Sequence, residues 1–179
     1  ISGSVPAGVE IGFYGKLVSM AKQAGIPVIV DTSGALLEET VKAKPTMIKP
    51  NTDEIGQLLG RKVESRQEVV DAAWELHRAG IPYVVVSLGK DGSVMACGQG
   101  IFQGVTPDIP VVNTVGCGDS MVAGFAVAMA RGQGPEEMLR LATAVSTANA
   151  LNMQTGHFEQ EDFNRVFPLV SVRKLQAEN

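Results

Sequence analysis

Apolar residues recur at helical spacing over residues 9–24, where Ile11, Tyr14, Leu17, Val18 and Ala21 form one stripe that Gly25 closes. The apolar run "IPVIVD" then predicts a short buried strand. "GALLEETVKAK" predicts a second helix, "PTMIKPN" a second strand, and "TDEIGQLLG" another helical segment. Ser65 and Glu68 have the spacing of a capping box, which predicts a helix over 66–79 ended by Gly80. "PYVVVSLG" predicts a strongly apolar strand, "KDG" a turn, and "SVMACG" with "GIFQGV" a hairpin or meander. A helix over 117–131 follows, then one from Pro135 to about Asn152, rich in small residues. "EDFNRVF" predicts a last helical turn and "VSVRKL" a last strand.

Strands that are apolar on both faces and alternate with helices imply parallel βαβ units, so the pattern predicts one α/β domain with a parallel sheet. In such sheets ligands bind beyond the carboxyl ends of the strands. The informative loops are therefore "DTSG", "KPNTDE", "SLGKDG" and "TVGCGD". The opening "ISGSVPAG" reads as the end of a strand running into a loop, which predicts further chain upstream.

The 179 residues are enough for one domain with a sizeable core. A hydrophobic fraction of 45% and a charged fraction of 19% fit a globular chain. The net charge of −4, with no basic cluster, argues against nucleic-acid binding. No apolar stretch predicts a membrane span, and Cys97 and Cys117 read as free thiols of a reducing, cytoplasmic compartment.

Gly116 and Gly118 flank Cys117 directly before Asp119 and an apolar helical run. Glycines there let successive N–H groups converge at a helix start, making an anion hole beside a carboxylate that can take a hydroxyl proton. They equally suit close packing, with Asp119 complementing the helix dipole. The stretch is neither a Walker A motif nor a complete G-x-G-x-x-G, since Met121 stands at the last glycine. Asn51 and Glu54 suit an N-cap with a reciprocal carboxylate, or nucleotide phosphates with a magnesium water shell. Ser87, Gly89 and Gly92 suit a plain turn or a phosphate cradle. A nucleophilic Cys117 would need a histidine, and neither His77 nor His157 lies in a dyad signature.

Taken in order, these loops resemble the PfkB family of carbohydrate kinases, relatives of ribokinase. "NTVGCGDSMVAGF" is similar to the family's Gly-Ala-Gly-Asp signature with Cys117 in place of Ala, "KPNTDE" to its Asn-x-x-Glu motif, and "VVVSLGKDG" to its Ser-x-Gly-x-x-Gly turn. "SGSVPAG", "DTSG" and "IKPN" resemble the sugar-phosphate kinase branch, which holds tagatose-6-phosphate kinases and 1-phosphofructokinases.

The resemblance implies a ribokinase-like three-layer α/β/α fold with a mostly parallel sheet. It also implies that residues 1–179 are only the C-terminal, ATP-binding part of the domain, with the N-terminal part and lid missing and poor activity alone. It implies ATP and Mg²⁺ as cofactors and a phosphorylated ketohexose as substrate, tagatose 6-phosphate or fructose 1-phosphate. A homodimer of a complete protein goes with it. Asp119 would be the base, and the amides of Gly116, Cys117 and Gly118 would stabilise the transferring phosphoryl group. Glu54 would position magnesium and Asn51 would approach the phosphates. Ser87, Gly89 and Gly92 would line the ATP site, with Asn149 near the adenine. The alternatives are a non-catalytic nucleotide-binding or regulatory module of this fold and, more remotely, a cysteine hydrolase.

Overall fold

The computed structural model describes residues 1–175; the last four residues of the 1–179 domain assignment lie outside the described residues. The chain forms two compact units, Ile1–Leu88 with Val94–Gln99, and Gly89–Ser93 with the chain from Gly100 onward.

In the first unit, helix α1 (Phe13–Gln23) begins later than its apolar stripe. Tyr14 and Val18 are buried, whereas Ile11 is exposed in the turn before the helix. Strands β1 (Ile29–Val30) and β2 (Met47–Ile48) are short and wholly buried. They pair in parallel, and β2 pairs in parallel with β3 (Tyr83–Ser87). The opening residues meet the chain just after β1 through an isolated parallel bridge between Ser2 and Asp31.

Helices α2 (Gly34–Val41), α3 (Thr52–Leu59) and α4 (Arg66–Arg78) form the connections. Both α3 and α4 start on capping boxes, Asn51 with Glu54 and Ser65 with Glu68. Helices α3 and α4 pack on β3, whose Val84, Val85 and Val86 are fully buried with Met47, Ile48 and Ile55. Each such side chain contributes about 1.5–3 kcal/mol by leaving water. Most of β4 (Ser93–Cys97), entirely buried, also belongs to this unit.

In the second unit, β5 (Gly100–Val105) pairs antiparallel with β6 (Ser171–Leu175), from Ile101 opposite Leu175 to Val105 opposite Ser171. The α/β class holds, but the expectation of a mostly parallel sheet is corrected: strand pairing is mixed. The physical reason is connection length. Helices span the parallel steps from β1 to β3, whereas only Gly98 and Gln99 separate β4 from β5, too few for a crossover.

Helices α5 (Cys117–Ala130) and α6 (Pro135–Ala150) pack closely along one another around Phe125, Met138 and Leu139. Their contact depends on Gly124, where an added Cβ would lie 2.6 Å from Ala142 Cα. Helix α6 also packs on β5 and β6. Helix α7 (Gln160–Val166) closes the unit, with Val166 joining Ala144 and Val170 in a small apolar cluster.

Candidate functional site

In the first unit, the segment after β2 turns directly into α3. Asn51 Oδ1 accepts the Glu54 N–H (2.9 Å), and Glu54 Oε2 accepts the Asn51 N–H (2.9 Å). The capping reading of these two residues is therefore realised, and it uses one oxygen of the Glu54 carboxylate. Ser87, at the end of β3, is brought alongside by a parallel bridge to Asn51, its N–H donating to Pro50 C=O (3.0 Å).

The structure adds a pair absent from the sequence reading. Lys49 Nζ meets Asp31 Oδ2 at 3.1 Å, with side chains only 7% and 18% exposed. A lysine at the end of the apolar run "TMIK" was the signal for it. Among the described residues no cluster of three or more His, Cys, Asp or Glu could hold a metal. A lone hard carboxylate such as Glu54 suits Mg²⁺, which keeps most of its waters and takes one or two protein oxygens.

In the second unit, Gly89 opens a 3-10 turn through Asp91, and the Gly92 N–H returns to Gly89 C=O at 3.2 Å. Gly92 has φ +89°, and a Cβ there would lie 2.0 Å from Gly104 O, so the turn presses its backbone against β5. No other residue fits that position.

The turn before α5 is the more open structure. Gly116 is the N-cap in the left-handed region (φ +82°) and α5 has no side-chain cap. The Cys117 N–H donates to Thr114 C=O at 3.2 Å, and the Ser120 N–H to Gly116 C=O at 2.8 Å. Among the described residues no backbone carbonyl takes the N–H of Gly116 or Gly118. Of the three amides assigned to an anion hole, two are thus unclaimed by backbone and one is engaged. Asp119 is exposed in the first turn of α5. Amides without a backbone partner, the positive end of a helix dipole and an adjacent carboxylate form a site that can hold an anion next to a base.

This turn is tied to the chain after α6. The N–H groups of Val112 and Asn113 both reach Ala150 C=O, at 2.8 and 3.2 Å. Asn113 Nδ2 donates to Met153 C=O (3.0 Å), and Asn113 Oδ1 accepts the Val115 N–H (3.0 Å). Asn149 is fully buried, its Nδ2 donating to Val115 C=O (3.0 Å) and its Oδ1 accepting the Gly156 N–H (2.8 Å). Its carboxamide is therefore engaged within the chain. Asn113 had gone unnoticed in the sequence, because nothing local announces a bond to a residue forty positions away.

Neither cysteine forms a disulfide. The contacts of Cys117 Sγ are Asn149 Nδ2 (3.4 Å) and Asn113 C=O (4.0 Å), while His157 Nε2 meets Glu159 (3.0 Å). His77 Nδ1 meets Ile81 C=O (2.9 Å). No histidine hydrogen-bonds to the thiol, so the arrangement lacks a cysteine–histidine dyad. No helix among the described residues is long and apolar enough to cross a membrane.

Comparison with known proteins bears on these elements. Residues 1–162 match the model of the pfkB family of carbohydrate kinases. That span corrects the expectation that the chain holds only a C-terminal portion of the family's domain with the N-terminal part missing: the match runs from the first residue over nearly the whole chain. Tagatose-6-phosphate kinase of Staphylococcus epidermidis is 40% identical over 175 residues, 96% of this chain and 56% of that protein. Phosphofructokinase-2 from Escherichia coli, solved in complex with potassium, superimposes with a TM-score of 0.89 at 34% identity over 94% of this chain and 55% of that one. The same enzyme in complex with substrates and products gives 0.87 at 33% identity, over 93% and 54%. The chain spans about half the length of the relatives it matches.

Proposed function

The chain belongs to the pfkB family of carbohydrate kinases, and from that premise we propose that it transfers the γ-phosphoryl group of ATP to a hydroxyl of a phosphorylated ketohexose, giving a bisphosphate and ADP. Tagatose 6-phosphate and fructose 1-phosphate are the proposed acceptors, the first favoured by the 40% identity to a tagatose-6-phosphate kinase. The observation that carries the reading is the opening of α5: Gly116 in the left-handed region, two amides without backbone partners, and an exposed carboxylate at Asp119.

In this reading Asp119 accepts the proton of the acceptor hydroxyl as its oxygen bonds to phosphorus and the bond to the ADP oxygen breaks. The N–H groups of Gly116 and Gly118 face the charge on the transferring group, and the Cys117 N–H adds to them if it leaves Thr114. Glu54 would hold the water shell of Mg²⁺, and Asn51 would approach the phosphates. Ser87, Gly89 and Gly92 line the nucleotide. Bound MgATP supplies the phosphoryl group and the charge neutralisation that side chains here do not. Everything else is positioning.

The test is ADP release with tagatose 6-phosphate, fructose 1-phosphate and fructose 6-phosphate, on this protein and on Asp119→Asn. Loss of the base lowers kcat by roughly 10²–10⁴-fold with KM for ATP little changed. Equal turnover by both removes Asp119 from the role of base, and nucleotide binding with no turnover by either sinks the kinase reading and favours a non-catalytic nucleotide-binding module.

A further inference from the structure

We propose that Asn149 is a positioning residue for phosphoryl transfer, its buried carboxamide holding Val115 and Gly156 on either side of Gly116 and so setting the direction of the turn's amides. The inference rests on the assignment of those amides to the transferring group.

A carboxamide has no business in an apolar helix face unless its polar atoms are satisfied. Asn149 is 0% exposed, between Ala148 and Ala150, which are also buried. Its donor end bonds backward to Val115 C=O, directly before the glycine turn, at 3.0 Å. Its acceptor end takes the Gly156 N–H at 2.8 Å. One side chain thus bridges the segment before α5 and the segment after α6.

Those segments meet at Gly116. A Cβ on Gly116 would lie 2.7 Å from Thr155 Cγ2, 2.9 Å from Gly156 N and 3.5 Å from Asn149 Oδ1. The Thr155 side chain and the Gly156 backbone therefore back the turn, and Asn149 holds the Gly156 N–H there. Asn113 ties Val115 to Met153, and Asn149, from within α6, ties Val115 C=O to the Gly156 N–H that lies against Gly116. Amides that stabilise a transferring phosphoryl group act through their placement, and small displacements of such donors cost rate rather than affinity.

The chemistry demands asparagine. Leucine fills similar volume and satisfies neither Val115 C=O nor the Gly156 N–H. An ionised aspartate keeps an acceptor for Gly156 but turns an oxygen toward the Val115 carbonyl. A protonated aspartate restores both bonds. Burial raises the pKa of such a carboxyl, so the Asp variant carries its own internal rescue at acid pH.

The experiment compares Asn149→Leu and Asn149→Asp with the wild-type chain by melting, steady-state kinetics and backbone amide exchange. The expected result is a fall in kcat of about 10²-fold with KM for ATP changed less than about threefold. For Asn149→Asp, kcat relative to wild type rises as pH falls from about 8 to about 6. Exchange over residues 113–118 accelerates while the rest of α5 is unchanged. A kcat close to wild type overturns the proposal, and so does a loss confined to KM for ATP, which would make Asn149 a nucleotide contact. Should the Leu variant fail to fold, the pH profile of the Asp variant decides, a flat ratio counting against. A wild type that binds nucleotide without turnover would sink the kinase reading instead; the exchange measurement then judges the clamp by itself, unchanged exchange overturning it.

Discussion

Helices α4 and α5 face the same difficulty at their first turns and resolve it in opposite ways. Each begins with backbone N–H groups that have no partner within the helix. In α4 the chain supplies the anion itself. Glu68 Oε2 accepts the N–H of Ser65 (2.8 Å) and of Glu64 (2.9 Å), while Ser65 Oγ accepts the Glu68 N–H (3.2 Å). Those backbone donors hold the Glu68 carboxyl below the usual carboxylate range, helped by the Ser65 hydroxyl. In α5 the cap is a glycine without a side chain to offer, and the Gly116 and Gly118 amides find no backbone carbonyl. A sealed helix start stabilises a fold; an open one is available to a ligand. Helix α3 stands between them, its capping box formed by the same Asn51 and Glu54 that the kinase motif requires.

The contrast breaks most visibly at Gly116. Gly116→Ala meets both a positive φ and the Thr155–Gly156 backing, and is expected to cost about 3 kcal/mol in denaturant unfolding and to abolish turnover. Wild-type stability in that variant would mean the turn is far softer than its contacts indicate. At α4, Ser65→Ala removes one cap bond for about 1 kcal/mol of stability, with kcat unchanged. A kcat effect there would blur the division between sealed and open helix starts.

The companion change Glu68→Gln adds a pH signature. The folded-state pKa of Glu68 is lowered, so its contribution to stability is present above the pKa of an unfolded glutamate and is lost as pH falls through the folded value. The melting difference between Glu68→Gln and wild type should therefore be largest near neutrality and close in acid. The smallest effect belongs to Cys117→Ala, which keeps the backbone amide and should turn over almost as wild type. An inactive Cys117→Ala would revive a thiol mechanism.

Helix starts were the most readable part of the fold. The Ser65/Glu68 spacing placed α4 within a residue, and Pro135 placed the start of α6, because capping chemistry is local and encoded in adjacent residues. Strands were less so. "IPVIVD" and "PTMIKPN" shrank to the pairs Ile29–Val30 and Met47–Ile48, since a run of apolar residues reports burial but not how many of them pair. Sheet direction was misread for a related reason: alternation with helices holds through β3 and ends there, and β5 with β6 shows the antiparallel result. Within the candidate site, the glycines and carboxylates of the motifs were visible because their spacing is short. The ties from Asn113 and Asn149 were not, because bonds to Met153, Val115 and Gly156 depend on where the chain returns. Lys49 with Asp31 was hidden in the same way.

The bare α-carbon at position 124 has a consequence for how such a protein can diversify. With Ala142 Cα 2.6 Å from where a methyl would sit, α5 is seated on α6 like a key in a slot, and repacking cannot rotate it. The acid five residues upstream on the same helix inherits that fixed phase. If Asp119 is the base of the proposed transfer, new acceptor preferences come from altered loops brought to it, because its helix is held in place.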